Sequence, residues 1–273
     1  MNDVLKRNNV KVMGQGEQTI IFAHGFGCDQ SMWQYITPKL AESYRIILFD
    51  YVGSGNSDIT AYQSEKYSTL YGYMQDVLDI IEAMDLQHIL FIGHSISSMI
   101  GMLAAIERPD YFDKLIMIAP SPCYLNEDGY VGGFEQSDIK ELLAMMEMNF
   151  AGWASYMAPL AMDQSKESKL TKELESSFVQ TNTRVAREFA EVTFFSDYRS
   201  SLPLVEVPTL VIQCSKDSIV PLEVGEYLNK HLRNSTLQII DARGHYPHIS
   251  QPLETTKIII DYLMNESEGN NYG

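Results

Sequence analysis

The chain has 273 residues, 45% of them hydrophobic, and is therefore long enough to bury a sizeable core. Its 36 acidic and 20 basic side chains give a formal net charge of −16 with no run of Lys or Arg, which argues against nucleic acid or an anionic membrane surface as a partner. Three widely spaced cysteines, an N-terminus without an apolar signal core, and no apolar run long enough to cross a bilayer favour a cytoplasmic protein.

Short apolar runs bounded by polar residues alternate with helical patterns along the chain. The runs are 19–25, 45–50, 88–93, 114–120, 209–217 and 236–242. Continuous apolar runs of this kind are typical of parallel strands covered on both faces. Ahead of the first run, NNVKVMGQGEQT predicts a hairpin that turns at Gly14 and Gly16. The pattern predicts an α/β fold with a mostly parallel, doubly wound sheet.

One long segment interrupts this alternation, because it has helical patterns but no buried strand. The helical patterns are 137–150, 152–162, 168–180 and 182–196, the last with Asn182 or Thr183 as its N-cap. A helical insertion at the carboxyl edge of a sheet is typical of a lid over a pocket. We therefore predict a core of residues 1–120 and 200–273, with a four-helix lid, residues 121–199, inserted after the sixth strand.

The sequence GHSIS at 93–97 follows a predicted strand and precedes a helix rich in small residues. It matches the G-x-S-x-G turn of serine hydrolases except that Ser97 occupies the second glycine position. This turn is sharp and strained, and it presents the serine Oγ at the top of the sheet. Serine adds little bulk at the altered position, so Ser95 is a candidate nucleophile. The motif alone is weak evidence, and the assignment depends on the partners of Ser95.

Those partners occur in the required order. Asp217 lies just beyond one predicted strand, and His245 follows the end of the next. A serine becomes a good nucleophile when a histidine takes its proton, and a carboxylate fixes the tautomer of that histidine. His248 competes with His245, but His245 follows a glycine in the first loop after the strand and is better placed. The order Ser95, Asp217, His245 is that of the α/β-hydrolase triad.

The turn after the first predicted strand supplies the fourth component. His24-Gly25-Phe26-Gly27 can direct backbone N–H groups toward the pocket, which makes the N–H groups of Phe26 and Ile96 the candidate oxyanion hole. His24 has no acidic or histidine partner at ligand spacing, so a role under the turn is favoured over metal binding. No metal or cofactor is expected. The predicted substrate pocket is apolar and lined by Phe26, Tyr124, Phe134, Trp153, Met157, Phe194 and Ile219.

Together with FDYVGSGNSD, PSPCYLN, GGFEQ and ARGHYPHIS, these motifs resemble the α/β-hydrolase superfamily. Within it, the chain resembles the group that contains the bacterial stress-signalling hydrolase RsbQ and the plant karrikin and strigolactone receptors. The resemblance implies a V-shaped lid of four helices over an apolar pocket. It also implies that a serine at position 97 is compatible with a working turn. Val52 stands where the wider superfamily often has Arg, a departure shared with RsbQ.

The resemblance implies hydrolysis of a small apolar ester or related molecule. It further implies positive regulation of the bacterial general stress (sigma-B) response through a PAS-domain phosphatase partner of the RsbP kind. The alternative is a metabolic carboxylesterase or C–C bond hydrolase without a signalling role, and a haloperoxidase would use the same triad. A dehalogenase or epoxide hydrolase is disfavoured, because those enzymes have Asp at the nucleophile position.

Overall fold

A computed structural model describes residues 2–265, which form a seven-stranded sheet flanked by helices. The strands are β1 (Lys11–Met13), β2 (Thr19–Ala23), β3 (Arg45–Leu48), β4 (Ile89–His94), β5 (Phe112–Ile118), β6 (Thr209–Lys216) and β7 (Ser235–Arg243). Their order is β1-β3-β2-β4-β5-β6-β7; β1 runs antiparallel to β3, and the other pairs are parallel. The predicted α/β-hydrolase class is confirmed.

Eleven α-helices occur in the described residues, most of them between strands. They are α1 (Asn2–Arg7), α2 (Thr37–Leu40), α3 (Leu70–Ala83), α4 (Ile96–Glu107), α5 (Gln136–Met148), α6 (Phe150–Met162), α7 (Lys169–Gln180), α8 (Thr183–Phe194), α9 (Leu222–His231), α10 (Pro247–Ser250) and α11 (Pro252–Asn265). Short 3-10 turns cover Gln30–Trp33, Ile59–Ala61, Pro109–Tyr111 and Arg199–Leu204. Within 2–265, no helix combines the length and apolarity that a membrane crossing requires.

The predicted hairpin is wrong. β1 pairs with β3, with Lys11 opposite Leu48, and not with β2. A side chain at Gly14 or Gly16 would collide with the backbone around Tyr44, so these glycines let the chain pass close to the entry of β3. The hairpin region therefore contributes one strand, and the helical insertion follows the fifth strand rather than the sixth. It still follows the run 114–120, as predicted.

Burial varies along the sheet with the position of each strand. Every residue of β2 and β4, at the centre, is buried. β7 has β6 on one side and is otherwise an edge, so its side chains alternate irregularly between exposed and buried instead of being covered on both faces. The central position of β2 and β4 places the turns that follow them in the interior of the protein.

Helices α5 to α8, which we call the lid helices, occupy the insertion between β5 and β6. The two ends of the insertion meet: Cys123 and Asp197 form an isolated antiparallel bridge, and the Tyr198 N–H donates to the Pro122 carbonyl at 2.8 Å. The Asn182 side chain accepts a hydrogen bond from the Val185 N–H at 3.2 Å and caps α8, as predicted. The four helices thus leave and rejoin the sheet at one place.

Candidate active site

Ser95 lies at a strained turn between β4 and α4. Its backbone has φ 55° and ψ −126°, a conformation that non-glycine residues rarely adopt. A Cβ on Gly93 would come within 2.6 Å of the Ser97 carbonyl oxygen, so the turn requires glycine there. Ser97 itself is accommodated, and its hydroxyl donates to the carbonyl of His24 at the end of β2. The altered motif therefore still forms the turn, and its Ser97 hydroxyl links the turn by a hydrogen bond to the end of the neighbouring strand β2.

Ser95, His245 and Asp217 form a continuous hydrogen-bonded line. The Ser95 Oγ lies 2.8 Å from His245 Nε2, and His245 Nδ1 lies 2.8 Å from Asp217 Oδ2. The other carboxylate oxygen accepts from the N–H groups of Ile219 and Val220 at 2.8 and 3.0 Å. A carboxylate can only accept, so Nδ1 carries the imidazole proton and Nε2 is free to accept the proton of Ser95.

His248 takes no part in this line. Its ring packs between Trp33 and His94, with ring centroids 4.5 and 4.6 Å away, and is fully buried. Neither ring nitrogen has a hydrogen-bond partner among the described residues. Desolvation, with a smaller contribution from nearby His245, lowers the pKa of His248 to about 3. His248 is therefore a neutral core residue, and the structure brings His245 to the nucleophile.

The turn after β2 lies against the nucleophile. A Cβ on Gly25 would come within 2.5 Å of His94 Nδ1 and 3.4 Å of the Ser95 Cβ, so glycine allows the close approach. Phe26, the next residue, lines the same pocket as Ser95. Ile96 begins α4, and the first N–H groups of a helix have no carbonyl partner within it. Both predicted oxyanion donors thus belong to segments that contact or follow Ser95.

His24 lies under this turn rather than in the pocket. Its Nδ1 lies 3.0 Å from the Gly25 carbonyl, and its Nε2 accepts from the Tyr51 N–H at 3.3 Å. These two contacts occupy both ring nitrogens and stabilise the turn. In residues 2–265 there is no group of three His, Cys, Asp or Glu side chains arranged to hold a metal ion.

A pocket lies above Ser95 under the lid helices. Its lining residues are Phe26, Ser95, Tyr124, Leu142, Leu143, Met146, Trp153, Met157, Ala161, Phe178, Thr193, Phe194, Ile219, His245 and Tyr246. Its cavity volume is about 40 Å³. That is room for roughly three waters in the present conformation. The pocket is narrow and apolar.

Six of the seven predicted pocket residues line this space, and Phe134 does not. Phe134 packs its ring edge-on against Phe194, with centroids 5.8 Å apart, and is not one of the lining residues. The prediction missed the wall contributed by α5, namely Leu142, Leu143 and Met146. Their spacing matches one face of a helix, a pattern that shows which side of α5 is buried but not what it covers.

Tyr124 and Thr193 line the pocket and carry hydroxyls whose contacts the sequence did not reveal. The Tyr124 Oη lies 3.1 Å from the Ser95 Oγ. The Thr193 hydroxyl is buried on the wall formed by α8 and has no hydrogen-bond partner within residues 2–265. The Tyr124 hydroxyl can therefore reach a reacting atom, and the Thr193 hydroxyl is a buried polar group on a residue that lines the apolar pocket.

Comparison with known proteins agrees with this geometry. Residues 18–252 match the family model of the α/β hydrolase fold. The karrikin insensitive 2 receptor CA of Petunia hybrida is 38% identical over 97% of this chain and 99% of its own. The strigolactone esterase D14 of Arabidopsis thaliana is 37% identical over 94% of this chain and 97% of its own.

Among solved structures, a hydrolase from Oleispira antarctica is 45% identical over 97% of both chains, with a TM-score of 0.94. The family model, the full-length relatives and the superimposable sheet lead to one assignment. This chain belongs to the α/β-hydrolase fold family and is related to the plant karrikin and strigolactone receptors within it.

Proposed function

We propose that this protein is a serine hydrolase that cleaves a small, uncharged ester through an acyl-enzyme on Ser95. The observation that carries the proposal is the hydrogen-bonded chain from Ser95 through His245 to Asp217 beside a narrow apolar pocket. A buried nucleophile, base and orienting carboxylate within hydrogen-bond reach form the arrangement that acyl transfer requires. The esterase names of several relatives support it.

In the proposed reaction, the Ser95 Oγ attacks the ester carbonyl while His245 Nε2 takes the hydroxyl proton. Asp217 holds the imidazole and stabilises its cation. The N–H groups of Phe26 and Ile96 stabilise the oxyanion. His245 then protonates the leaving alcohol, and the same residues activate water to release the acid and free Ser95.

The pocket walls restrict the substrate class. Within residues 2–265, no Lys or Arg side chain lines the pocket, so a charged substrate would lose its hydration without gaining an ion pair. The narrow space favours a small acyl group or a short lactone. The unpartnered Thr193 hydroxyl favours a substrate with one polar group besides the reacting ester.

The stress-response role and the PAS-domain phosphatase partner stay predictions from resemblance. The relatives described above are named as plant receptors and esterases, and these names favour the alternative of a carboxylesterase without a sigma-B role. The proposal is therefore confined to hydrolysis.

The test is hydrolysis of p-nitrophenyl butyrate by wild type and by Ser95→Ala. We expect the substitution to lower kcat by at least about 1,000-fold with an unchanged fold, because triad members act as a unit. A fluorophosphonate probe should label wild type at Ser95. Ser98→Ala is the matched control: Ser98 is buried on α4, and its hydroxyl donates to the Gly93 carbonyl at 2.9 Å. Equal rates for wild type and Ser95→Ala would refute the proposal.

A further inference from the structure

Among the residues that the structure describes, two have side chains within hydrogen-bond range of the Ser95 Oγ, and the triad uses one of them. His245 Nε2 lies at 2.8 Å, and the Tyr124 Oη lies at 3.1 Å. Tyr124 is 1% exposed and belongs to the segment that connects β5 to the lid helices. Its ring packs edge-on against Phe194, with centroids 5.2 Å apart, which holds the hydroxyl in place. The phenol is therefore a fixed part of the nucleophile's surroundings.

The direction of this hydrogen bond follows from the triad. The Ser95 proton points to His245 Nε2, because Nδ1 carries the imidazole proton and donates to Asp217. The Ser95 Oγ therefore has only lone pairs to offer Tyr124, and the phenol must donate. Burial raises the pKa of Tyr124 well above its ordinary value, so the hydroxyl keeps its proton at neutral pH.

We infer that Tyr124 is a catalytic residue of deacylation, in which its hydroxyl stabilises the Ser95 Oγ as the leaving oxygen. The inference rests on the proposed acyl-enzyme mechanism and extends it. In deacylation, water attacks the acyl carbonyl and gives a proton to His245 Nε2. The bond from the carbonyl carbon to Oγ then breaks, the electron pair stays on Oγ, and His245 returns the proton to it. The carboxylic acid leaves, and free serine is restored.

The two half-reactions differ in what Tyr124 contributes to the barrier. In the free enzyme, the Oγ is an alcohol oxygen and already accepts the phenol's hydrogen bond, so little is gained on going to the acylation transition state. In the acyl-enzyme, the Oγ is an ester oxygen whose lone pair is delocalised into the carbonyl, which makes it a poor acceptor. As the bond to carbon breaks, negative charge develops on the Oγ and the hydrogen bond strengthens. Only an interaction that strengthens in the transition state lowers the barrier.

The test separates the two steps in Tyr124→Phe, which keeps the ring and removes the donor. Acetyl-enzyme is prepared with p-nitrophenyl acetate, desalted in acidic buffer, and moved to neutral pH. Mass spectrometry then follows the loss of one acetyl group from Ser95. We expect deacylation to slow by about 10-fold or more, because losing a hydrogen bond to a charged oxygen raises the barrier by an amount equivalent to that factor. The first-turnover release of p-nitrophenolate should stay within about threefold of the wild-type rate.

Tyr130→Phe is the matched control. Tyr130 is buried in the same connecting segment, but its hydroxyl donates to the Cys123 carbonyl at 2.8 Å and does not touch Ser95. We expect its deacylation rate to equal that of wild type. Equal slowing in both variants would mean that the segment had merely loosened, and would overturn the inference. Unchanged or faster deacylation in Tyr124→Phe would also overturn it. Failure of wild type to become acetylated at Ser95 would instead refute the proposed function.

Discussion

Within residues 2–265 the side chain of Asp217 makes three hydrogen bonds, and replacing it with Asn changes one of them. Oδ1 accepts from the Ile219 and Val220 N–H groups, while Oδ2 accepts from His245 Nδ1. The amide oxygen of Asn can keep both backbone donors, so Asp217→Asn should fold normally. The amide NH₂ would then face Nδ1 and could bond only to an unprotonated nitrogen. His245 would adopt the tautomer with the proton on Nε2.

In that tautomer, the nitrogen facing Ser95 carries a proton and cannot accept one. His245 can then no longer act as the general base for Ser95, although every heavy atom stays near its place. The same substitution in trypsin, a reference case for this effect, lowers kcat by about 10⁴. We expect a similar loss here, equivalent to about 5.5 kcal/mol of transition-state stabilisation. Asp217 has no exposed side-chain surface, so water cannot take over its role.

The assay is kcat for p-nitrophenyl butyrate, measured beside the thermal unfolding midpoint. Asp241→Asn is the control, because that carboxylate is exposed and, within residues 2–265, accepts a hydrogen bond only from the Ser215 hydroxyl, at 3.2 Å. We expect wild-type activity from the control and a wild-type midpoint from both variants. A loss below about tenfold in Asp217→Asn, with the fold intact, would show that the carboxylate does not set the tautomer.

Further predictions concern buried polar groups around the site. The pKa of His248 is depressed to about 3 in the folded chain, so below about pH 6.5 the unfolded chain binds a proton at His248 and the folded chain does not. The contribution of His248 to the free energy of unfolding is therefore fully present above about pH 6.5, and it falls toward pH 3 by about 1.4 kcal/mol per pH unit. His248→Leu should keep its activity and flatten this part of the curve of unfolding free energy against pH; an identical slope would count against the argument. Thr193→Val removes a hydroxyl that has no hydrogen-bond partner within residues 2–265, so it should not lower the melting temperature, and it should reduce the preference for methoxyacetyl over butyryl esters by about tenfold; an unchanged ratio would show that the hydroxyl does not contact the substrate. Asp76 is fully buried and accepts hydrogen bonds from two cationic side chains and a phenol, so Asp76→Ala should cost about 3–5 kcal/mol in urea unfolding; a cost below about 1 kcal/mol would show that these partners are satisfied elsewhere.

The sequence carried enough information to predict the sheet and the triad of Ser95, His245 and Asp217. β2 and β4 are wholly buried, so their apolar runs were unbroken and easy to recognise. The geometry of the fold places residues that follow parallel strands at one edge, and the order of Ser95, Asp217 and His245 could therefore be interpreted as a site. The choice of His245 over His248 also followed from position, because His245 directly follows Gly244 in the first loop after the strand.

The remaining errors concern contacts between segments far apart in the chain. The glycines before β2 suggested a turn, but the structure uses them for a close approach to the chain entering β3. Phe134 and Phe194 are both aromatic residues near the lid helices, and no local pattern distinguishes the ring that lines the pocket from the ring that does not. The contact between Tyr124 and Ser95 spans 29 residues and depends on how β5 leaves the sheet. Periodicity reports the buried side of an element, not its partner.

The end of helix α6 is hydrogen-bonded to the two loops that carry His245 and Asp217. Its last carbonyl groups have no donor within the helix. The Pro159 and Leu160 carbonyls accept from the Asp163 N–H just beyond the helix, and the Leu160 and Ala161 carbonyls accept from the catalytic loops. The Ala161 carbonyl accepts from the backbone N–H of His245 at 2.7 Å, and the Leu160 carbonyl accepts from the Ser218 hydroxyl at 2.6 Å, next to Asp217. Any displacement of the end of α6 must break these bonds or move both loops. A ligand that shifts the end of α6 without breaking these two hydrogen bonds would therefore also shift His245 and Ser218, the neighbour of Asp217.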